Sequence, residues 1–210
     1  MKLKRAAAEA GQKKIVSRAD AVALMIAAAA GALLTTAATV STTVALFTGP
    51  VTLELPVATS HQVATGLSLE ATGHFTAVEA SIPVLPSGPA TSLAWAYGLN
   101  QVGVLSVLAL LFLLAYRLQS RVLFTARSAH LVGAAGAVLA VAGTVGQVLD
   151  GVGRTRLAEI IGVNARAVGE AQIFSAEFNV GPLMLGVVLL LVAGVFQYGR
   201  RLQNDTEGLV

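Results

Sequence analysis

The sequence predicts a membrane-embedded, all-α bundle of four helices with a small β-containing cap on its extracytoplasmic side, and three observations predict it. Hydrophobic residues make up 55% of the 210 and charged residues only 12%, against roughly 25% charged in soluble domains. Two long runs, Leu93 to Tyr116 and Leu131 to Leu149, contain no charge. At about 1.5 Å of rise per residue each reaches roughly 28 to 36 Å, which matches a hydrocarbon core of about 30 Å. The turn between them carries Arg117, Arg121 and Arg127 with no acid, and short loops rich in Lys and Arg stay on the cytoplasmic side.

Taken in order, residues 1–18 form a basic cytoplasmic tail, with six Lys or Arg against Glu9 alone. Such a tail orients the chain and can lie on anionic lipid. The first span covers 19–48. Its inner half is Ala-rich, while Thr35, Thr36, Thr39, Ser41, Thr42 and Thr43 crowd the outer half. A cleaved signal peptide is the competing account of this stretch. However, the apolar pattern resumes at Val40, Val44, Leu46 and Phe47, and a helix satisfies Thr hydroxyls on carbonyls one turn back. Ala23, Ala27 and Gly31 recur every four residues as a ridge for close helix contact.

Residues 49–91 form an external loop with Glu54, Glu70 and Glu79 but no Lys or Arg. Val51, Leu53, Leu55 and Val57 alternate with polar residues or Pro56, the period of a half-buried strand. Further strands are expected over Val63 to Leu69 and Phe75 to Leu85, with Gly73 in the turn between them. Pro56 and Pro83 mark edges, since proline donates no ladder bond. The second span, 92–116, begins at a Thr91 or Ser92 cap. Trp95 and Tyr97 near its start and Tyr116 at its end fit the two aromatic belts of a bilayer. Residues 117–129 are the cytoplasmic turn and 130–150 the third span. There Gly133, Gly136, Ala140 and Gly143 line one face as a helix-packing ridge whose partner lies in this chain or in a second copy. Residues 151–179 are a second external loop, expected to hold a short amphipathic helix through Leu157, Ile160 and Ile161 and a strand over Gln172 to Phe178. The fourth span is 180–198, with Pro182 in its first turn, and 199–210 is a cytoplasmic tail. Four spans with both termini inside agree with all three basic clusters.

Two inner-face stretches, FTARSAHLVGAAG (Phe124 to Gly136) and VFQYGRRLQNDTEGLV (Val195 to Val210), resemble the signatures of a bacterial four-span membrane family known as domain of unknown function 2975. Phe124, Thr125, Arg127, Phe196, Gly199, Arg201, Leu202, Asp205, Glu207, Gly208, Leu209 and Val210 fit its pattern. Gln197 and Tyr198 stand where basic residues are common, and Gly194 where an acid often stands. The resemblance implies a plasma-membrane protein without an assigned activity; in such families a small helix-turn-helix regulator is often encoded nearby, which hints at a regulatory pairing.

The sequence carries no recognisable catalytic, cofactor or metal set. With no cysteine there is no disulfide or thiolate site. His61, His74, Glu70 and Glu79 share the external side without a ligand spacing. No turn presents a serine nucleophile. GVGRTR at Gly151 to Arg156 follows a membrane helix rather than a strand and lacks a Lys-Ser or Lys-Thr ending, so it reads as a helix end and not as a phosphate loop. The basic residues flank apolar runs rather than striping a soluble face, which argues against nucleic acid. Ion-coupled carriers keep charge inside the membrane, and the interior of these spans has none. Thr-rich span one with Asn100, Gln101 and Gln147 leaves a small transporter or channel subunit for a neutral polar solute as the alternative. The leading expectation is a regulatory or scaffolding subunit. Its contacts are the bilayer, a second copy or another membrane protein, and a cytoplasmic regulator met through Phe124, Arg127, Gly199, Arg200, Arg201, Asp205 and Glu207, with the tail folding back onto the Arg-rich turn.

Overall fold

The computed structural model describes residues 18–57, 63–64, 68, 73–74, 76–119, 126–163 and 178–207. Four helices dominate: α1 (Arg18–Thr48), α2 (Ser87–Gln119), α3 (Ala126–Ile160) and α4 (Gly181–Glu207). Between α1 and α2 lie β1 (Val51–Pro56), β2 (Val63–Ala64), β3 (Gly73–His74) and β4 (Ala77–Ile82). All four helices are long and apolar enough to cross a membrane. The architecture is that of a multi-pass membrane protein.

The helices do not close into the expected bundle. Each packs on its neighbour in the chain, α1 on α2, α2 on α3 and α3 on α4, and no comparable contact joins α1 to α4. On α2, Leu108 lies against Gly31 of α1, whereas Gly103 lies against Leu139 of α3. Five residues turn a helix by about 500°, so these contacts fall on well separated sides of α2. An open row suffices because apolar helix faces carry no penalty in lipid, where packing rather than water exclusion holds helices together. Accordingly Leu33, Leu34, Leu191 and Val195 stay 66 to 74% exposed.

The contacts Gly31 with Leu108, Gly153 with Leu93 and Gly143 with Pro182 make neighbouring helices antiparallel, so the start of α1, the end of α2, the start of α3 and the end of α4 share one end of the row, and β1 and β4 lie at the other. β1 pairs antiparallel with β4, with Leu53 opposite Ala80 and Glu54 opposite Glu79. The predicted alternation holds: Leu53 and Leu55 are buried, and Thr52 and Glu54 exposed. The other two strands are a two-residue ladder, Val63 with His74 and Ala64 with Gly73. Gly73 is therefore in a strand and not in the expected turn. Most of Val63 to Leu69, and Gln172 to Glu177 of the last expected strand, lie outside the described residues, while Phe178 is not in a strand.

At 33 and 35 residues, α2 and α3 reach about 50 Å and overrun a bilayer. Their surplus builds the cap. Leu53 and Leu55 of β1 share a core with Leu46 of α1, Leu85 just before α2, Ala90 and Leu93 in the first two turns of α2, and Leu157 and Ala158 of α3. The amphipathic stretch expected as a separate helix is thus the last turns of α3. That helix ends where Gly162 takes φ +81°; the Val163 amide donates to the Ala158 carbonyl and the Gly162 amide to that of Glu159, a Schellman-type stop that favours glycine.

Candidate functional site

Distinct constellations tie the row together, and each uses a different chemistry. The first is the seam between α3 and α4. A Cβ built on Gly136 would stand 2.7 Å from the Gly186 carbonyl oxygen, and one on Gly186 would stand 2.6 Å from the Gly136 carbonyl oxygen and 2.7 Å from Ala140 Cβ. Gly143 meets Pro182, and Gly133 meets Ala193. The ridge read from the sequence therefore faces α4 of the same chain. A second line, Gly146 and Gly153, faces Ala96, Leu99, Ser92 and Leu93 of α2, and the sequence reading missed it, although a seven-residue spacing keeps one helix face. Gln147 anchors the top of the seam: its Nε2 donates to the Asn179 carbonyl (3.0 Å), and its Oε1 accepts from the Asn179 amide (2.7 Å). Asn179 Oδ1 in turn accepts the Gly181 amide at 2.8 Å, opening α4.

The second constellation joins α1 to α2. Gln101, only 9% exposed, donates from Nε2 to Thr35 and Thr36 hydroxyls at 3.1 and 2.9 Å. Its Oε1 accepts from the Thr39 hydroxyl at 3.2 Å. One amide thus engages three of the threonines that set the outer half of α1 apart, and the Thr35 hydroxyl donates in turn to the Ala32 carbonyl at 3.3 Å. Asn100, paired with Gln101 in the sequence reading, is exposed instead. Adjacent residues differ by about 100° around a helix, so the two cannot share a partner. The ridge expected on α1 is also displaced: Ala23 and Ala27 are exposed, and the packed face runs through Ala21 and Ala28 with Gly31 against Leu108.

The third ties α3 to the cap. Arg154 donates from Nε to Asp150 Oδ2 at 2.7 Å and from Nη1 to the Glu54 carbonyl of β1 at 2.9 Å. The i, i+4 pair is about one-third exposed at each partner, where an ion pair alone contributes about 0 to 1 kcal/mol. Its structural weight comes from reaching a strand 100 residues away in the chain.

At the opposite end Arg117 donates to the Ser128 hydroxyl across the α2–α3 turn, and Ser128 is fully buried. Arg127 and Arg201 are exposed, as is Gly199. Phe124 and Arg121 lie outside the described residues, and the side chains of Arg200, Asp205 and Glu207 are not described. Residues 199–207, expected as a tail folding back, continue α4 without a break. The helix carries Asp205 about 6 Å beyond Arg201, away from the row. Among the described residues no group of three or more His, Asp or Glu could hold a metal ion. No family model, curated protein or solved structure matches this chain.

Proposed function

We propose that this protein is a non-enzymatic regulatory or scaffolding subunit of a bacterial plasma membrane, related to the domain of unknown function 2975 family, with its cap outside and its termini and α2–α3 turn in the cytoplasm. The observation that carries the reading is the continuity of α2 and α3. Each runs unbroken from the cap core, at Leu93 and Leu157, to the basic end, where Arg117 and Ser128 link them. In this reading the two continuous helices are the physical path by which a ligand or partner on the cap biases what meets the opposite end. The cytoplasmic contact surface is built from Arg127, Arg200 and Arg201, with Asp205 and Glu207 on the projecting end of α4. The distribution of arginine supports the orientation: Arg18, Arg117, Arg127, Arg200 and Arg201 mark one end, against Arg154 and Arg156 at the cap end.

Affinity capture from native membranes after crosslinking from each side in turn tests this reading. A specific cytoplasmic partner lost on Arg201→Glu supports it. Recovery of self-copies alone, together with flux of neutral solutes through reconstituted liposomes, would replace it with a pore.

A further inference from the structure

Tyr116 of α2 and Tyr198 of α4 are 60% and 66% exposed. The contacts Gly103 with Leu139 and Gly133 with Ala193 set the registers, and counting along the helices from them puts both rings within about two residues of the same level, ~3 Å. Trp95, 64% exposed, stands about 31 Å away along α2, so the tyrosines and Trp95 frame one hydrocarbon thickness. Arg201 follows Tyr198 at i+3 and Gly194 precedes it at i−4, which places all three on one side of α4. A Cβ on Gly194 would meet nothing within 4 Å, and Leu191 and Val195 around it are 66% and 68% exposed. The face is thus a notch in an apolar wall, topped by a phenol and then a guanidinium at the bilayer boundary.

We infer that this face of α4 holds an anionic phospholipid, its phosphate on Arg201 and Tyr198 and an acyl chain in the notch at Gly194. Charge selects this occupant. Guanidinium groups take phosphate in a planar fork, and the same end carries Arg18, Arg117, Arg127 and Arg200. A second copy seated on this face by a two-fold along the membrane normal would set each Arg201 near its own symmetry mate. Asp205 lies one turn farther out, beyond the phosphate level. The inference does not depend on a cytoplasmic partner or on which side of the membrane this end occupies.

Trp95 is the sole tryptophan, so Trp95→Phe with Tyr198→Trp moves the only indole to the proposed site. In bilayers of mixed phosphatidylcholine and phosphatidylglycerol, with one or the other brominated, that indole is expected to be quenched in favour of phosphatidylglycerol. The expected preference is about fivefold, the partition gain of one surface cation. Adding Arg201→Gln should bring the ratio to about one, and Trp95 in the unaltered protein should report no such preference. A second measurement spares Tyr198: mass analysis of lipid retained by purified protein should show the anionic share falling in Arg201→Gln but not in Arg127→Gln. Equal quenching by both lipids with Arg201 intact overturns the site. So does a preference that survives Arg201→Gln, and quenching by neither lipid would show a second copy covering the face.

Discussion

Gly136 and Gly186 illustrate how little space separates α3 from α4. Backbone touches backbone there, so Gly136→Ala should destabilise the protein by about 1 to 3 kcal/mol, visible as a lower unfolding midpoint in detergent. Gly194→Ala, made into open space, should leave the midpoint unchanged or raise it slightly, by up to about 1 kcal/mol from helix propensity. A size-exclusion profile in which both variants behave alike would mean that the seam is looser than these distances. Thr144 Oγ1 is buried without a partner among the described residues. Its isosteric replacement Thr144→Val should therefore stabilise by about 1 kcal/mol, since a lone buried hydroxyl costs that much or more. Gly136, Ala140 and Gly143 were legible as a packing ridge because their spacing is that of a helix face. Gly186 was not, since a single glycine in an apolar run has no period.

At the scale of elements, α1 is the most weakly attached. Along its length it packs on α2, through small residues and the Gln101 amide, and it joins the cap core through Leu46; Gln101→Leu removes three interhelical hydrogen bonds worth about 0.6 kcal/mol each on average in membranes. The expected outcome is faster proteolysis or hydrogen exchange confined to α1, with α3 and α4 unchanged. The cap gives the converse case. Arg154→Ala frees the Glu54 carbonyl and should raise exchange in β1 and β4 while leaving the central turns of α2 and α3 protected; uniform loosening of all elements would mean that Arg154 supports the whole row and not the cap alone. The strands of β1 and β4 were readable because burial on one face imposes period two. The extent of α3 was not. Asp150, Arg154 and Arg156 look like a loop after a span, and only the cap core around Leu157 shows why a charged segment stays helical.

The whole molecule is a row of helices with charge of opposite sign at its two ends. Since the chain has no cysteine, Ser81→Cys in β4 and Gln119→Cys at the end of α2 are clean topology probes. An impermeant maleimide added to intact cells should label the first and spare the second; the reverse pattern would invert the protein and with it the proposed partner.

Composition and the length of uncharged runs by themselves determined that the chain makes four membrane-length helices, because a bilayer leaves few ways to place so many apolar residues. They also determined which residues alternate in β1. Only the tertiary structure decided that the helices form an open row, that the glycine ridge of α3 is met by α4 within one chain, and that Gln101 rather than Asn100 joins α1. The reason is physical: in lipid an apolar surface does not record which side is covered. Partner choice then rests on shape and a few polar contacts, and neither has a period in the sequence.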